Sequence, residues 1–202
     1  MTSPSQPHLY APGLVLRGTE APRSLSSFKL IAFDMDSTLI NIECVDEIAD
    51  AAGRKAEVAA ITEAAMRGEI SDYKESLRQR VALLRGVHVQ HLERVWRERL
   101  RFNPGAESLA AACKAAGLKL LLVSGGFTFF TDRVRDHLRI DMARSNVLEW
   151  AETADGPVLT GRMVDQPWGA ICDGEQKRST LLAMARDIGA TPAQCIAVGD
   201  GA

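Results

Sequence analysis

Three short apolar runs, each cut off abruptly by carboxylate, serine or glycine residues, restrict this chain more than any other feature. Leu30-Ile31-Ala32-Phe33 stops at Asp34, residues 118–123 stop at Ser124-Gly125-Gly126, and Cys195-Ile196-Ala197-Val198 stops at Gly199-Asp200-Gly201. A continuous apolar run without alternation suits a strand covered on both faces, as in a parallel sheet flanked by helices. In open α/β sheets the ligand lies beyond the carboxyl ends of the strands. The three termini are therefore expected to converge on one site.

Helical signals separate these runs. Asn103-Pro104 offers a cap and a first-turn proline for a helix over about 105–116, with Gly117 as its stop. Residues 128–138 form another helix after the Ser124 loop, and 174–188 a third, with Leu181, Leu182, Ala185 and Ile188 on one face. Residues 147–164 read as a hairpin turning at Asp155-Gly156-Pro157. The stretch 42–100 is far longer than one crossover helix needs. Gly53, Gly68 and Gly86 punctuate it, and Ser71 is expected to cap a helix with the stripe Tyr73, Leu77, Val81, Leu84. The expected organisation is an N-terminal extension over 1–28 with one strand at Leu14–Leu16, a core made of 29–41 and 101–202, and a helical cap domain over 42–100.

Of the 202 residues, 46% are hydrophobic and 25% charged, the balance of a globular protein with a substantial core. Lys+Arg 24 against Asp+Glu 26 leaves a net charge of −2, so no basic excess exists to neutralise a nucleic-acid backbone. No apolar run is long enough to cross a bilayer. The N-terminus shows no basic patch followed by an apolar stretch. Cys44, Cys113, Cys172 and Cys195 lack C-x-x-C spacing and are expected to be buried free thiols in a reducing compartment. A cytoplasmic protein, with no membrane or nucleic-acid partner, is the expectation. His8, His88, His91 and His137 are scattered, and the His88/His91 pair reads as decoration of a solvated helix face rather than a zinc site.

The chemistry centres on Asp34-Met35-Asp36-Ser37-Thr38. Two carboxylates just past a buried strand can be a loop start with Asp36 or Ser37 capping the next helix. They can also work as a pair, one attacking phosphorus to form an aspartyl-phosphate and the other serving as general acid and base. Taken alone, Ser124-Gly125-Gly126 reads equally as a turn, Lys177 as a solvated lysine beside Arg178, and Asp200 as a turn carboxylate. Arg80 follows Leu77 by three and precedes Leu84 by four, so it falls on the apolar stripe of its helix. A guanidinium on a buried face needs an anion, whether a cap acid or a ligand. Glu43 opens the first inserted helix, where an acid also complements the helix dipole.

Phe33-Asp34-Met35-Asp36-Ser37-Thr38-Leu39 resembles the first motif of the haloacid dehalogenase-like phosphotransferases. Val123-Ser124-Gly125-Gly126-Phe127 is similar to the second motif, Lys177 fits the third, and Val198-Gly199-Asp200-Gly201-Ala202 is similar to the start of the fourth. Within that superfamily, residues 42–49, 76–81 and 124–128 resemble the phosphoserine phosphatases. The resemblance runs in order over about 28–202. It implies a Rossmann-like parallel sheet with a helical cap inserted after the first motif. It also implies Asp34 as nucleophile, Asp36 as general acid/base, and Ser124, the Gly125 amide and Lys177 as phosphoryl ligands. Mg²⁺ would be held by Asp34, Asp200 and the main-chain carbonyl of Asp36. Arg80 would take the substrate carboxylate and Glu43 its ammonium, which points to O-phospho-L-serine and the last step of serine biosynthesis.

Two other readings remain at this stage. One is a related phosphotransferase or phosphatase that passes the phosphoryl group to an alcohol or acts on another small phosphate. The other is a non-catalytic receiver-like module, against which Asp36 and the large insertion argue. The family's fourth motif continues past Gly-Asp-Gly-Ala with an Asn, an Asp and further helix and strand. The sequence ends at Ala202, so the expectation is a core lacking its C-terminal part, with weak magnesium binding and impaired turnover. Oligomeric state is left open.

Overall fold

The computed structural model describes residues 8–12, 14–17, 24–70 and 72–200. Strands β1 (His8–Ala11) and β2 (Leu14–Leu16) form an antiparallel ribbon, so the strand expected at Leu14–Leu16 is present and paired. The other strands are β3 (Leu30–Phe33), β4 (Lys119–Phe127), β5 (Met142–Ala151), β6 (Val158–Val164) and β7 (Cys195–Val198). These five make one sheet of order β6-β5-β4-β3-β7. β3 lies between β4 and β7 and runs parallel to both, with Phe33 opposite Leu122 on one side and Val198 on the other. The three apolar runs are thus neighbours, and their polar endings meet at one edge of the sheet.

Two boundaries differ from the sequence reading. β4 does not stop at Val123 but continues through Ser124-Gly125-Gly126 to Phe127, with its register to β5 shifting between Val123 and Phe127. The hairpin expected over 147–164 is also part of the main sheet. β5 starts earlier, runs parallel to β4, and then pairs antiparallel with β6.

Between β3 and α5 (Ala106–Ala115) lie α1 (Cys44–Ala51), α2 (Lys55–Met66), α3 (Tyr73–Ala82), α4 (Gln90–Arg94) and a π-helical turn over Val95–Arg99. Asp72 caps α3, its Oδ1 accepting from the Lys74 amide at 2.9 Å, while Ser71, the expected cap, lies outside the described residues. On the α3 stripe Leu77, Val81 and Leu84 are buried, and Tyr73 is partly exposed. Asn103 does not cap α5 with its side chain. Gly105, at φ 90°, turns the chain into the helix, and the Asn103 amide instead donates to the Thr38 and Ile40 carbonyls at 2.9 and 3.2 Å. Asn103 therefore ties down the loop that follows β3.

α6 (Thr128–Leu138) and α7 (Gly174–Asp187) follow β4 and β6 as expected. Alternate residues of β3 face opposite sides. Ile31 and Phe33 join one apolar cluster, and Leu30 and Ala32 join a second with Leu121, Val123 and Ala185. The larger cluster runs unbroken from the sheet into the inserted helices, taking in Ile48, Leu77, Leu84, Leu92 and Val95. Leu84→Ala, at a fully buried position, is expected to cost about 2–5 kcal/mol. Because the core is shared, denaturant titration should show one cooperative transition at a lower midpoint; a separate early transition of the inserted helices would contradict a shared core.

The four cysteines are free, and Cys44, Cys113 and Cys172 are buried. Cys195 corrects the expectation, being only half-buried on β7, whose side chains remain partly open to solvent. His88 is a second correction: it precedes α4 and sits under the β5–β6 turn. Its Nδ1 accepts from the Gln90 amide at 3.1 Å, so Nε2 donates to the Asp155 carbonyl at 2.8 Å. Among the described residues no helix is long and apolar enough to cross a membrane.

Candidate active site

The loop after β3 folds tightly because one carbonyl collects three amides. Thr38, Leu39 and Ile40 donate to the Met35 oxygen at 3.2, 2.9 and 3.1 Å, while the Met35 side chain is completely buried. Ser37 adopts a left-handed conformation at φ 54°. This turn carries Asp34 and Asp36 to the same cavity. Asp34 Oδ1 accepts the Met35 amide at 2.7 Å, and its Oδ2 meets the Lys177 ammonium. Asp36 is held by one residue, with Oδ2 accepting from the Cys44 amide at 3.2 Å and Oδ1 from the Cys44 thiol at 3.1 Å. Burial pushes the Asp36 carboxyl up to about 7, against the Cys44 hydrogen bonds and with help from the negative Glu43 and Asp34. Burial and the neighbouring Asp36 also push the Cys44 thiol well up, so it stays protonated and donates.

The second wall is the end of β4. Ser124 is buried, its Oγ accepting from the Gly126 amide at 2.9 Å, which leaves the hydroxyl proton free for a ligand. Glycine lets this loop approach the neighbouring side chains closely. A Cβ at Gly126 would lie 2.9 Å from Met35 Cε, and one at Gly125 would collide with the Tyr73 hydroxyl. Asn146 of β5, not singled out from the sequence, fixes the loop from behind. Its Nδ2 donates to the Gly125 carbonyl at 2.7 Å, and its Oδ1 accepts from the Cys172 amide at 2.8 Å. Asn146→Ala should leave both main-chain groups unsatisfied at a buried site and cost about 1–3 kcal/mol. Chemical denaturation checks this, with the midpoint expected to fall; an unchanged midpoint would show that the bridge is unimportant.

Lys177 sits in the first turn of α7, whose cap Asp173 accepts from the Gln176 amide at 2.9 Å. Asp173 also pairs with Lys74 of α3 at 3.0 Å, joining the inserted helices to α7 beside the cavity. Asp200, just past β7, accepts from the Thr38 hydroxyl at 3.2 Å and returns its amide to the Thr38 oxygen at 3.1 Å. Glu43 is the residue from which α1 starts, and its Oε1 accepts the Ser37 hydroxyl at 2.6 Å. Burial raises the Glu43 carboxyl above its ordinary value, with Asp46 and Asp200 adding to the rise while Ser37 and Arg80 oppose it. Arg80 forms no ion pair among the described residues, and its Nε is buried without a hydrogen-bond partner. The alternative of a structural salt bridge to a cap acid is therefore not what the structure forms.

All eight residues singled out from the sequence (Asp34, Asp36, Glu43, Arg80, Ser124, Gly125, Lys177 and Asp200) line one cavity of about 200 Å³. Tyr73, Leu77 and Phe127 also line it; the sequence marked Tyr73 and Leu77 only as part of a helix stripe and Phe127 only as the end of the second motif. The cavity has carboxylates and a lysine on the sheet side, with a carboxylate and an unpaired guanidinium on the inserted helices. The cavity residues that could hold a metal are Asp34 and Asp200, whose carboxylates both line it, with the main chain of Asp36 beside them. That all-oxygen set with few protein ligands suits a hard cation of the magnesium type. Among the described residues no three His, Cys, Asp or Glu side chains cluster for a metal.

A parallel sheet whose strand ends present an Asp-x-Asp turn, a Ser-Gly-Gly loop, a lysine and a further aspartate defines a class. The chain belongs to the haloacid dehalogenase-like hydrolase family, whose model matches residues 31–202. It is 72% identical over 197 residues to a phosphoserine phosphatase of Polaromonas sp., an alignment covering 98% of this chain and 82% of that protein. Two solved structures are similar at 36% identity, each over 86% of this chain and 78% of theirs. They are a substrate-bound phosphoserine phosphatase complex, at TM-score 0.75, and a phospho-aspartyl intermediate analogue of phosphoserine phosphatase, at 0.74.

Proposed function

We propose that this chain hydrolyses O-phospho-L-serine to L-serine and phosphate in a magnesium-dependent reaction through an aspartyl-phosphate on Asp34. The observation that carries the reading is the single cavity in which an Asp-x-Asp pair faces a glutamate and a half-buried arginine whose Nε has no hydrogen-bond partner. A guanidinium and a carboxylate on one wall match the zwitterion of an amino acid, and the opposite wall matches its phosphate. We take residues 42–100 as the cap that reads the amino acid, and 29–41 with 101–202 as the core that handles the phosphoryl group.

Asp34 attacks phosphorus and forms an O–P bond as the bond from phosphorus to the serine oxygen breaks. Asp36 gives that oxygen its proton, consistent with a carboxyl that burial keeps protonated up to about neutrality. Asp36 then takes a proton from water, whose oxygen attacks phosphorus and releases Asp34 and phosphate. The Ser124 hydroxyl, the Gly125 amide and Lys177 bind the phosphoryl oxygens. Arg80 grips the substrate carboxylate and Glu43 its ammonium. Asp34, Asp200 and the Asp36 carbonyl are the residues that would hold magnesium, whose charge offsets the repulsion between an anionic nucleophile and an anionic phosphoryl group. Four free thiols suit a reducing compartment, and we place the protein in the cytoplasm.

The test is phosphate release from L-phosphoserine, L-phosphothreonine and an aryl phosphate, with magnesium and with a chelator. L-Phosphoserine should be turned over fastest and only with the metal. Equal rates on all three substrates would defeat the substrate assignment. A phosphorylated alcohol formed in place of free phosphate would make the protein a phosphotransferase.

A further inference from the structure

Cys44 has no place in that mechanism, yet it supplies both hydrogen bonds that reach Asp36. It is completely buried, at the first position of α1, and does not line the cavity. Its amide takes one Asp36 oxygen at 3.2 Å and its thiol the other at 3.1 Å. A carboxylate free at its last torsion can turn either oxygen toward a substrate or away from it. Two donors on one residue remove that freedom. α1 itself is fixed, because Val45, Ile48 and Ala49 are packed into the main apolar cluster.

We propose that Cys44 is a positioning residue for the acid/base group: it clamps both Asp36 oxygens so that proton delivery to the leaving serine oxygen starts from one fixed geometry. This rests on the reading of Asp36 as the general acid. The thiol keeps its S–H bond throughout, and the proton that moves belongs to Asp36. Glu43, one peptide bond earlier, is held by the Ser37 hydroxyl at 2.6 Å. The start of α1 therefore sets the acid and the reader of the substrate ammonium together.

The competing view of Cys44, an inert thiol filling the core, makes a different prediction about leaving groups. The serine alkoxide needs a proton as it departs, whereas a p-nitrophenolate does not. Values of kcat/KM for L-phosphoserine and p-nitrophenyl phosphate, both with magnesium, should be measured for Cys44→Ala, Cys44→Ser and Asp36→Asn. Removing an outer partner of a reactive group typically costs about 10–100-fold, and that loss is expected for Cys44→Ala on phosphoserine, carried by kcat. The kcat/KM for p-nitrophenyl phosphate, which ends at departure of the leaving group and so omits the later step in which Asp36 activates water, should be spared, and Cys44→Ser, which restores a donor, should recover most of the loss on phosphoserine. Cys44→Val, apolar and of similar bulk, replaces Cys44→Ala if the latter does not fold.

Equal loss on both substrates, or no loss on either, would overturn the proposal. Asp36→Asn separates it from the reading beneath it. Asp36→Asn should slow hydrolysis of the shared aspartyl-phosphate, so only kcat/KM is compared: if Asp36→Asn lowers it far more for phosphoserine than for the aryl phosphate and Cys44→Ala does not, only the positioning role of Cys44 falls. If Asp36→Asn lowers kcat/KM for both substrates alike, the general-acid role falls and the proposal with it.

Discussion

Asp34→Asn is expected to lower phosphoserine turnover by about 10⁴-fold or more, the scale on which enzymes lose rate when their nucleophile is removed. The amide nitrogen or oxygen of asparagine cannot take the place of the attacking carboxylate. The fold should survive, because asparagine keeps an oxygen for the Met35 amide, and Lys177, about one-third exposed, can turn to water. Circular dichroism and melting should therefore match the unsubstituted protein. In that protein, acid quenching during turnover followed by peptide mass analysis should find the phosphoryl group on Asp34. An adduct on Asp36 would exchange the roles of the two carboxylates. An adduct on serine or histidine, or near-normal turnover by Asp34→Asn, would end the aspartyl-phosphate mechanism.

What was legible in the sequence was whatever local chemistry dictates. Leu30–Phe33 read correctly as a strand of a parallel sheet because burial on both faces leaves an unbroken apolar run, and Cys195–Val198, though only partly buried, shares that pattern and pairs parallel with it. Their endings marked the site because polar residues directly after such a run have to face the strand ends. Legibility failed wherever a distant partner decides. Asn103 carries the local signature of a helix cap, but a left-handed Gly105 and two open carbonyls on the Asp34 loop claimed its side chain. Asn146 sits in the middle of β5, where no neighbour marks it, and its meaning lies in the Gly125 carbonyl 21 positions away. Cys44 had every local attribute of an inert thiol. Only the fold reveals that the carboxyl opposite it is Asp36. The Ser124 loop was read as the end of a strand because glycine commonly ends one, yet its backbone stays in the sheet through Phe127.

Arg80→Ala is the second large effect expected, and its test lies in the choice of substrate. Arg80 stands near the carboxylates of Glu43 and Asp46 but pairs with neither, and its Nε is buried without a partner. A planar fork of donors held in that state is ready for a carboxylate brought in by a ligand. Truncating one partner of a desolvated charge pair costs about 2–5 kcal/mol, so kcat/KM for phosphoserine should fall roughly 30- to 5,000-fold. Arg80→Lys should recover part of this, since it keeps the charge and loses the fork. An aryl phosphate has no carboxylate and should be nearly unaffected. Phosphoethanolamine closes the cycle, because it is phosphoserine without the carboxylate. It should already be poor with the unsubstituted protein and should lose little more with Arg80→Ala, the non-additivity expected when both changes remove one interaction. Independent, multiplying losses would mean that Arg80 holds the inserted helices together and leaves the carboxylate to another residue.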